Sequence, residues 1–190
     1  METDVIENHK RYLARKELFK NFGCDIDQER EFVLAQAQPL TGSILEAGTG
    51  KGHFSLTLAK AGYKFTTIDI SSEEQGFAKL NLKYYGLDGN VDFSIENGKH
   101  LSFKNDSFDV IFSVNTIYHF SNPYVVIDEL IRVLAAKGKL ILSDFTPEGF
   151  KLIEEIHASE GKVHEEGGAS LEQVKTYLVR KEFRVRDSAS

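Results

Sequence analysis

Apolar residues along the chain follow two patterns that alternate from residue 43 onward. Short apolar or alternating runs predict strands at 43–47, 63–70, 91–95, 107–114, 139–145 and 182–186. Segments with helical spacing lie between them and predict helices at 52–62, 71–86, 123–138, 147–159 and 170–181. The nearly continuous apolar run at 107–114 is typical of a strand that is covered on both faces. The alternation of strands and helices predicts an α/β fold with right-handed crossovers.

We therefore expect a Rossmann-like, open, mostly parallel sheet with helices on both faces. Helical spacing before residue 39 predicts an N-terminal helical cap, with one helix over 5–22 and a second that Asp27 caps and that runs through Gln38. The whole chain, 1–190, is predicted to be one domain, which divides into the cap at 1–38, a ligand-binding core at 39–146 and a C-terminal part at 147–190. The segment GKVHEEGG (161–168) is predicted to be a loop.

Ligands of such sheets bind beyond the carboxyl ends of the strands, where the strand order reverses. The first of these turns reads ILEAGTGKGHF (44–54), with glycines at every second position from Gly48 to Gly52. Glycine adopts positive φ and allows a ligand close to the backbone, and a plain tight turn needs only one. Asp69 ends the second strand, 21 residues after Gly48, where a carboxylate accepts hydrogen bonds from both hydroxyls of a ribose. The two features together predict a ligand that contains adenosine.

Two residues distinguish the kinds of adenosine ligand. A dinucleotide turn, G-x-G-x-x-G, has its third glycine at the position of His53, and it has no use for a carboxylate such as Glu46 beside a pyrophosphate. Glu46 instead favours a ligand with positive charge near the turn. S-adenosylmethionine carries an ammonium and a sulfonium group and no phosphate, so it suits the motif better. A dinucleotide-dependent oxidoreductase is the alternative hypothesis.

The chain resembles the class I S-adenosylmethionine-dependent methyltransferases. It is most similar to the small-molecule branch that includes the ubiquinone and menaquinone biosynthesis type (methyltransferase domain type 11). The resemblance covers roughly residues 40 to 146. Its motifs are ILEAGTGKGHFSLTLAKAGYKFTTIDIS, NGKHLSFKNDSFDVIFSVNTIYHFSNP and ELIRVLAAKGKLILSDF.

The resemblance implies S-adenosyl-L-methionine as the cofactor and a small molecule as the methyl acceptor. The carboxylate and the glycine turn would face the methionine part of the cofactor, the acid after the second strand its ribose, and the next residues its adenine. The third-strand loop has Asn-Gly where the family usually has Asp-Ala, so the expected contact to the adenine amino group loses its charge. The implied cofactor-binding residues are Glu46, Gly48, Thr49, Gly50, Gly52, Asp69, Ile70, Asn97, Gly98 and Asn115.

Methyl transfer from a sulfonium is an in-line displacement, for which an enzyme mainly aligns the partners and excludes water. An acceptor that must also lose a proton needs a base, and histidine suits that role near neutral pH. His119, in the loop after the fourth strand, is the predicted catalytic residue, with a histidine that only packs the loop as the other interpretation. Tyr118 and Tyr12 are the predicted substrate residues, with a buried structural tyrosine and a plain surface helix as their alternatives. No metal-ligand spacing is present.

Composition and charge restrict the possible partners and the location of the protein. The net charge of −6 and scattered basic residues disfavour nucleic acid as a partner. No apolar run reaches the ~20 residues of a membrane span, the N-terminus lacks a secretory signal, and a lone Cys24 fits a cytoplasmic location. The family's last antiparallel strand does not follow residue 186, so we expect either its absence or a truncated chain. A non-catalytic cofactor-binding protein is a further alternative, and the oligomeric state is left open.

Overall fold

A computed structural model describes residues 2–159 and 168–188. Five strands form one sheet, and every neighbouring pair of strands is parallel. They are β1 (Ile44–Ala47), β2 (Phe65–Asp69), β3 (Val91–Ile95), β4 (Phe108–Val114) and β5 (Leu134–Ser143). The order across the sheet is β3-β2-β1-β4-β5, so the chain moves outward in one direction from β1 and later in the other from β4. The predicted Rossmann-like, open parallel sheet is confirmed.

Seven α-helices in the described residues surround the sheet. They are α1 (Glu2–Asn21), α2 (Ile26–Gln36), α3 (His53–Lys60), α4 (Ser72–Tyr84), α5 (Pro123–Val133), α6 (Pro147–Ser159) and α7 (Leu171–Arg180). Short 3₁₀ helices lie at Asp88–Asn90 and Ile117–His119. None of these helices combines the length and the apolar character that a membrane crossing requires. Apart from Gly168, the predicted loop at 161–168 lies outside the described residues.

Alternation along the strands supplies a core on each face of the sheet. Ile44 and Phe112 belong to a cluster with Phe54 of α3, whereas Leu45 and Ile111 belong to a cluster on the face covered by α5. All four strand residues are at most 3% exposed. A parallel sheet has helices on both faces, which is why its strands are apolar almost throughout.

A third cluster forms the cap above the carboxyl ends of the strands. Phe19 of α1, Ile26 of α2 and Ile153 and Ile156 of α6 pack together there. The N-terminal helical cap was predicted, but the contribution of α6 was not, because helical spacing alone does not show which partner an apolar face covers.

Several element boundaries differ from the prediction: β5 begins at Leu134 instead of residue 139, and the start of α2 and the end of the helix after Pro123 are also shifted. Asp25, rather than Asp27, caps α2, because its Oδ1 accepts from the amides of Asp27 and Gln28 at 3.1 and 3.2 Å. The helix expected to reach Gly138 ends at Val133. The backbone amides of residues 106 and 107 donate hydrogen bonds to the carbonyl oxygens of Arg132 and Val133.

The predicted strand at 182–186 does not form. The turn that ends α7 extends into this segment, with Glu182 at φ 66° and the Phe183 amide donating to Leu178 O at 3.1 Å. Phe183 and Val185 then pack against the cluster of α5 and α7 side chains instead of pairing with β5. Within the described residues the sheet has no antiparallel member.

Gly52 lies where α3 begins and touches α4. It has φ 81°, and a Cβ added there would come 2.7 Å from the Ala78 Cβ. Because a left-handed non-glycine residue and an overpacked contact both cost free energy, Gly52→Ala should lower the free energy of unfolding by about 2–5 kcal/mol. Urea denaturation measures it. Gly62→Ala is the matched control, with φ 85° and nothing within 4 Å of the added Cβ. Equal losses in the two variants would show that packing on α4 does not matter.

Candidate active site

A cavity of about 720 Å³ opens at the carboxyl ends of the strands, where the strand order reverses between β1 and β4. This volume is typical of a site for a small molecule or cofactor. Eleven of the thirteen predicted site residues line it: Glu46, Gly48, Thr49, Gly50, Asp69, Ile70, Asn97, Gly98, Asn115, Tyr118 and His119. Gly52 and Tyr12 are the two that do not.

The glycine turn uses its first amides inside the protein. The amides of Gly48 and Thr49 donate to Ile68 O at 2.8 and 3.0 Å, and the Gly50 amide donates to Asp69 Oδ2 at 2.7 Å. Gly48 has φ 96°, and a Cβ there would meet Thr116 at 2.5 Å. The turn is therefore drawn tightly against β2 and the loop after β4, and these three amides are not available as donors to a phosphate.

Asp69 joins the two turns that follow β1 and β2. Its Oδ2 accepts from the Gly50 amide, and its Oδ1 accepts from the Ser71 amide at 2.9 Å. A carboxylate has about four acceptor positions, so both oxygens retain capacity for further donors. The side chain is partly exposed and lines the cavity, which places an oriented pair of acceptors on its wall.

Glu46 ends a buried chain of hydrogen bonds. Its Oε2 accepts from Ser55 Oγ at 2.5 Å and from Thr67 Oγ1 at 2.7 Å. Since the Thr67 proton is directed to Glu46, Thr49 Oγ1 is the donor in the 2.7 Å contact with Thr67 Oγ1. Gln75 Nε2 donates in turn to Thr49 Oγ1 at 3.1 Å. The hydroxyls of the chain orient the carboxylate while it remains 1% exposed.

Burial raises the pKa of Glu46 to about 7, although the hydroxyls of Ser55 and Thr67 act in the opposite direction. Desolvation disfavours the charged carboxylate, whereas hydrogen-bond donors stabilise it. A raised pKa means that the folded protein binds this proton more tightly than the unfolded chain does. The contribution of Glu46 to the free energy of unfolding is therefore fully present at acidic pH, and it is lost as the pH rises through about 7. A cationic ligand beside the carboxylate would reverse that loss.

Affinity for a ligand with an ammonium group should consequently depend on pH. A carboxyl group with a pKa of about 7 is mostly protonated at pH 6 and mostly ionised at pH 8. Binding of S-adenosylhomocysteine should therefore strengthen by about tenfold between these values, with release of a proton. Calorimetric titration in buffers of different ionisation enthalpy measures both effects. Glu46→Gln, which cannot ionise, should bind weakly with a flat profile; the same tenfold rise in that variant would exclude Glu46 as its source.

The far end of the cavity has an apolar platform. Ile70 is 72% exposed although it is a large aliphatic residue, and it lines the cavity next to Asp69. Asn97 and Gly98 lie in the loop after β3, where Asn97 Oδ1 accepts from the Lys99 amide at 3.0 Å. A Cβ at Gly98 would come 3.1 Å from Val126. This arrangement offers an apolar surface beside a polar amide, which is what binding of a nucleobase requires.

Polar atoms without partners collect on the wall between α2 and β4. Asn115, at φ 51°, donates from Nδ2 to Glu29 Oε1 at 2.8 Å, and its buried Oδ1 has no hydrogen-bond partner. Arg30 Nη1 lies 2.9 Å from Glu29 Oε2, yet it is buried without an aligned hydrogen bond. Because alignment decides whether a donor is satisfied, the short contact with Glu29 leaves this Nη1 unsatisfied. Both atoms are therefore available to a polar ligand in the cavity.

The opposite wall is built around the 3₁₀ helix Ile117–His119. The Tyr118 amide donates to Asp144 Oδ2 at 3.1 Å, which fixes this turn to the end of β5. Burial raises the pKa of Tyr118 to about 12 and that of Asp144 to about 6. His119 is exposed to the cavity, and its ring lies 3.8 Å from that of Tyr118, centroid to centroid. An imidazole in this position can reach a bound molecule.

Tyr12 and Gly52 do not line the cavity and have packing contacts instead. Tyr12 is 7% exposed and stacks on His53, with 4.9 Å between ring centroids. Burial is the main cause that lowers the pKa of His53 to about 3, so the ring that lines the cavity there is neutral. Gly52 packs against α4, as its short contact with Ala78 shows.

Sequence reasoning missed the residues that the cap contributes. Arg15 and Arg30 come from α1 and α2, and His157 comes from α6. A cationic residue in an amphipathic helix normally faces solvent, so its type and spacing carry no signal for a site. Among the residues described, no three His, Cys, Asp or Glu side chains are grouped as ligands for a metal ion.

Comparisons with known proteins agree with this geometry. A ubiquinone biosynthesis O-methyltransferase of Xanthomonas axonopodis pv. citri is 30% identical over 125 residues, which cover 64% of this chain and 52% of the relative. The chain thus spans about half the length of this curated relative. The crystal structure of a SAM-dependent methyltransferase from Methanosarcina mazei has a TM-score of 0.52 and 32% identity and covers 58% of this chain and 55% of that one.

The YcgJ protein of Bacillus subtilis has a similar fold, with a TM-score of 0.63 and 24% identity over 80% of this chain and 67% of that one. The family profile of the methyltransferase domain matches residues 45–142, which is 98 of the 190 residues of the chain. That segment runs from β1 through most of β5 and contains both the glycine turn and Asp69. The chain therefore belongs to the methyltransferase domain family.

Proposed function

We propose that the protein is an S-adenosyl-L-methionine-dependent methyltransferase that acts on a small-molecule acceptor. The observation that supports this most is the pairing of Asp69 with a glycine turn whose first amides are already bonded to β2. Asp69 suits the ribose of an adenosine ligand. A pyrophosphate needs free amide donors at the turn, and here the amides of Gly48, Thr49 and Gly50 are consumed. The site thus favours an adenosine ligand without phosphates.

The buried groups around the turn fit the amino-acid end of such a cofactor. Glu46 and the unpartnered Asn115 Oδ1 are acceptors for an ammonium group, and the unaligned Nη1 of Arg30 is a donor for a carboxylate. At the other end, the exposed Ile70 would pack on the adenine. Acceptors and donors in this order match the zwitterionic methionine tail, which a dinucleotide does not have.

Catalysis on this site would consist mainly of alignment. When bound, S-adenosylmethionine supplies a methyl group that its sulfonium already activates. Side chains of the cap helices α1, α2 and α6 pack together beside the cavity, where they would limit the access of water to the reacting groups. An imidazole nitrogen of His119 would accept the proton that a hydroxyl or acidic carbon acceptor loses. The name of the Xanthomonas relative supports oxygen as the acceptor atom.

Transfer itself is tested by turnover. The protein is incubated with S-adenosylmethionine that carries a labelled methyl group and with a panel of phenols, catechols and carboxylic acids. We expect labelled product to appear together with equimolar S-adenosylhomocysteine. Binding of the cofactor without turnover across the panel would favour a non-catalytic cofactor-binding protein instead.

A further inference from the structure

One face of α4 contacts the glycine turn. Gln75 Nε2 donates to Thr49 Oγ1 at 3.1 Å, near the start of the turn. At the end of the turn, a Cβ added to Gly52 would come 2.7 Å from the Ala78 Cβ. Gln75 and Ala78 lie three positions apart on the helix, and both are fully buried. The turn is thus held by α4 as well as by β2.

Asn81 continues this face of α4 by three more positions. Its Nδ2 donates to the carbonyl oxygen of Lys51 at 3.1 Å, and the residue is 2% exposed. Lys51 lies between Gly50 and Gly52, whose φ angles are 49° and 81°. Glycine accepts many backbone conformations, so a peptide flanked by glycines has little preference of its own for one direction. The hydrogen bond from Asn81 fixes the direction of the Lys51 carbonyl.

The peptide that Asn81 holds lies beside the cavity. Lys51 and His53, on either side of Gly52, both line the cavity, whereas Asn81 itself does not. A ligand binds with reduced apparent affinity when only a fraction of the molecules have the binding conformation. A side chain that keeps the turn in one conformation therefore raises the affinity without touching the ligand.

Asn81 also connects the turn to α1. Its Oδ1 accepts from Asn8 Nδ2 at 2.9 Å, and the same Nδ2 donates to Phe77 O at 3.1 Å. Asn8 is 8% exposed and does not line the cavity. Burial of an amide side chain costs free energy unless it is hydrogen-bonded, so these partners determine how both asparagines are oriented. The bonds form a path from Asn8 through Asn81 to the Lys51 carbonyl.

We propose that Asn81 is a positioning residue for the cofactor and that α1, through Asn8, contributes to cofactor affinity from outside the cavity. This inference rests on the proposed function, because it takes the glycine turn as the site of the methionine part. Without the bond from Asn81, the peptide after Lys51 can rotate, and fewer molecules have the turn in its binding conformation. Without Asn8, the Asn81 side chain is itself less fixed, so the effect is smaller and of the same kind.

The test is calorimetric titration with S-adenosylhomocysteine of the unmodified protein, Asn81→Ala, Asn8→Ala and the double variant. Asn81→Ala should weaken binding by about tenfold or more, and Asn8→Ala by about three- to tenfold, because each lowers the population of the binding conformation. The affinity of the double variant should lie within about twofold of that of Asn81→Ala. Residues that act through one path are not additive, whereas independent effects multiply in the affinity.

Asn21→Ala is the matched control, since Asn21 ends α1, is exposed and does not line the cavity. It should leave the affinity within about twofold, which is the scale of small surface effects. Thermal unfolding without ligand provides the second readout. A merely structural contact between α1 and α4 would lower the unfolding temperature of Asn8→Ala and leave its affinity unchanged.

Unchanged affinity in either single variant, or single effects that multiply in the double variant, would overturn the inference while the proposed function stands. If Asn81→Ala does not fold, Asn8→Ala decides alone by the same criterion, because Asn8 does not contact the turn. Failure of the unmodified protein to bind S-adenosylhomocysteine would instead reject the proposed function on which the inference rests.

Discussion

Replacing Asp69 by alanine is expected to weaken binding of S-adenosylhomocysteine by about 10–100-fold, from ~1.5–3 kcal/mol for hydrogen bonds to a charged group. The ribose hydroxyls would lose their acceptor, and the amides of Gly50 and Ser71 would lose theirs as well. Calorimetric titration gives the affinity. Thermal unfolding without ligand shows how much of the change comes from a loosened turn.

Asp92→Ala serves as the control for this experiment. Asp92 lies on β3, is exposed and does not line the cavity. Its replacement should leave the affinity within about twofold, which is the scale of small surface effects. Unchanged affinity in Asp69→Ala would remove Asp69 from the cofactor site, and with it the argument for an adenosine ligand.

The second large effect is expected on turnover. His119→Ala should lower kcat by about 10²–10⁴-fold on an acceptor that must lose a proton, which is the usual contribution of a general base. The affinity for S-adenosylhomocysteine should change by less than about threefold, because we assign the cofactor contacts to other residues. Initial rates with labelled S-adenosylmethionine and calorimetric titration provide the two readouts.

His100→Ala is the comparison, since His100 is exposed in the loop after β3 and lies outside the cavity lining. It should retain both rate and affinity. A loss of cofactor affinity in His119→Ala with an unchanged kcat would make His119 a binding residue. In that case the 3₁₀ helix positions the cofactor and no base is needed.

Local rules explain why the carboxyl edge of the sheet was predictable. Gly48 directly follows β1 and Asp69 is the last residue of β2, so the strands and the parallel topology determine where these residues lie. Ile70 and Asn115 have the same origin. Each of these residues lies within two positions of a strand end, where the chain has little freedom.

The cap was less predictable because it depends on tertiary packing. Arg15 and Arg30 reach the cavity only because α1 and α2 fold over the sheet and meet Ile153 of α6. Tyr12 was expected at the substrate and lies instead against His53, since a helix position alone does not say which neighbour covers its face. The strand expected at 182–186 was lost to the turn that ends α7, because short alternating runs also fit an irregular segment packed on a helix.

The hydrogen-bond chain at Glu46 could not be predicted either, because it also depends on tertiary packing. The sequence indicates the carboxylate and its place before the turn. It does not indicate that Ser55, Thr67, Thr49 and Gln75 lie in one connected row, because they come from β2, α3, α4 and the turn itself. The row is what fixes the direction of the carboxylate while it stays buried.

The most direct measurement is calorimetric titration of the unmodified protein with S-adenosylhomocysteine and, separately, with NAD. We expect saturable binding of S-adenosylhomocysteine at one site, stronger at pH 8 than at pH 6, and no measurable binding of NAD. Binding of NAD without binding of S-adenosylhomocysteine would exclude the proposed cofactor, because a pyrophosphate would then occupy a turn whose first amides are bonded to β2.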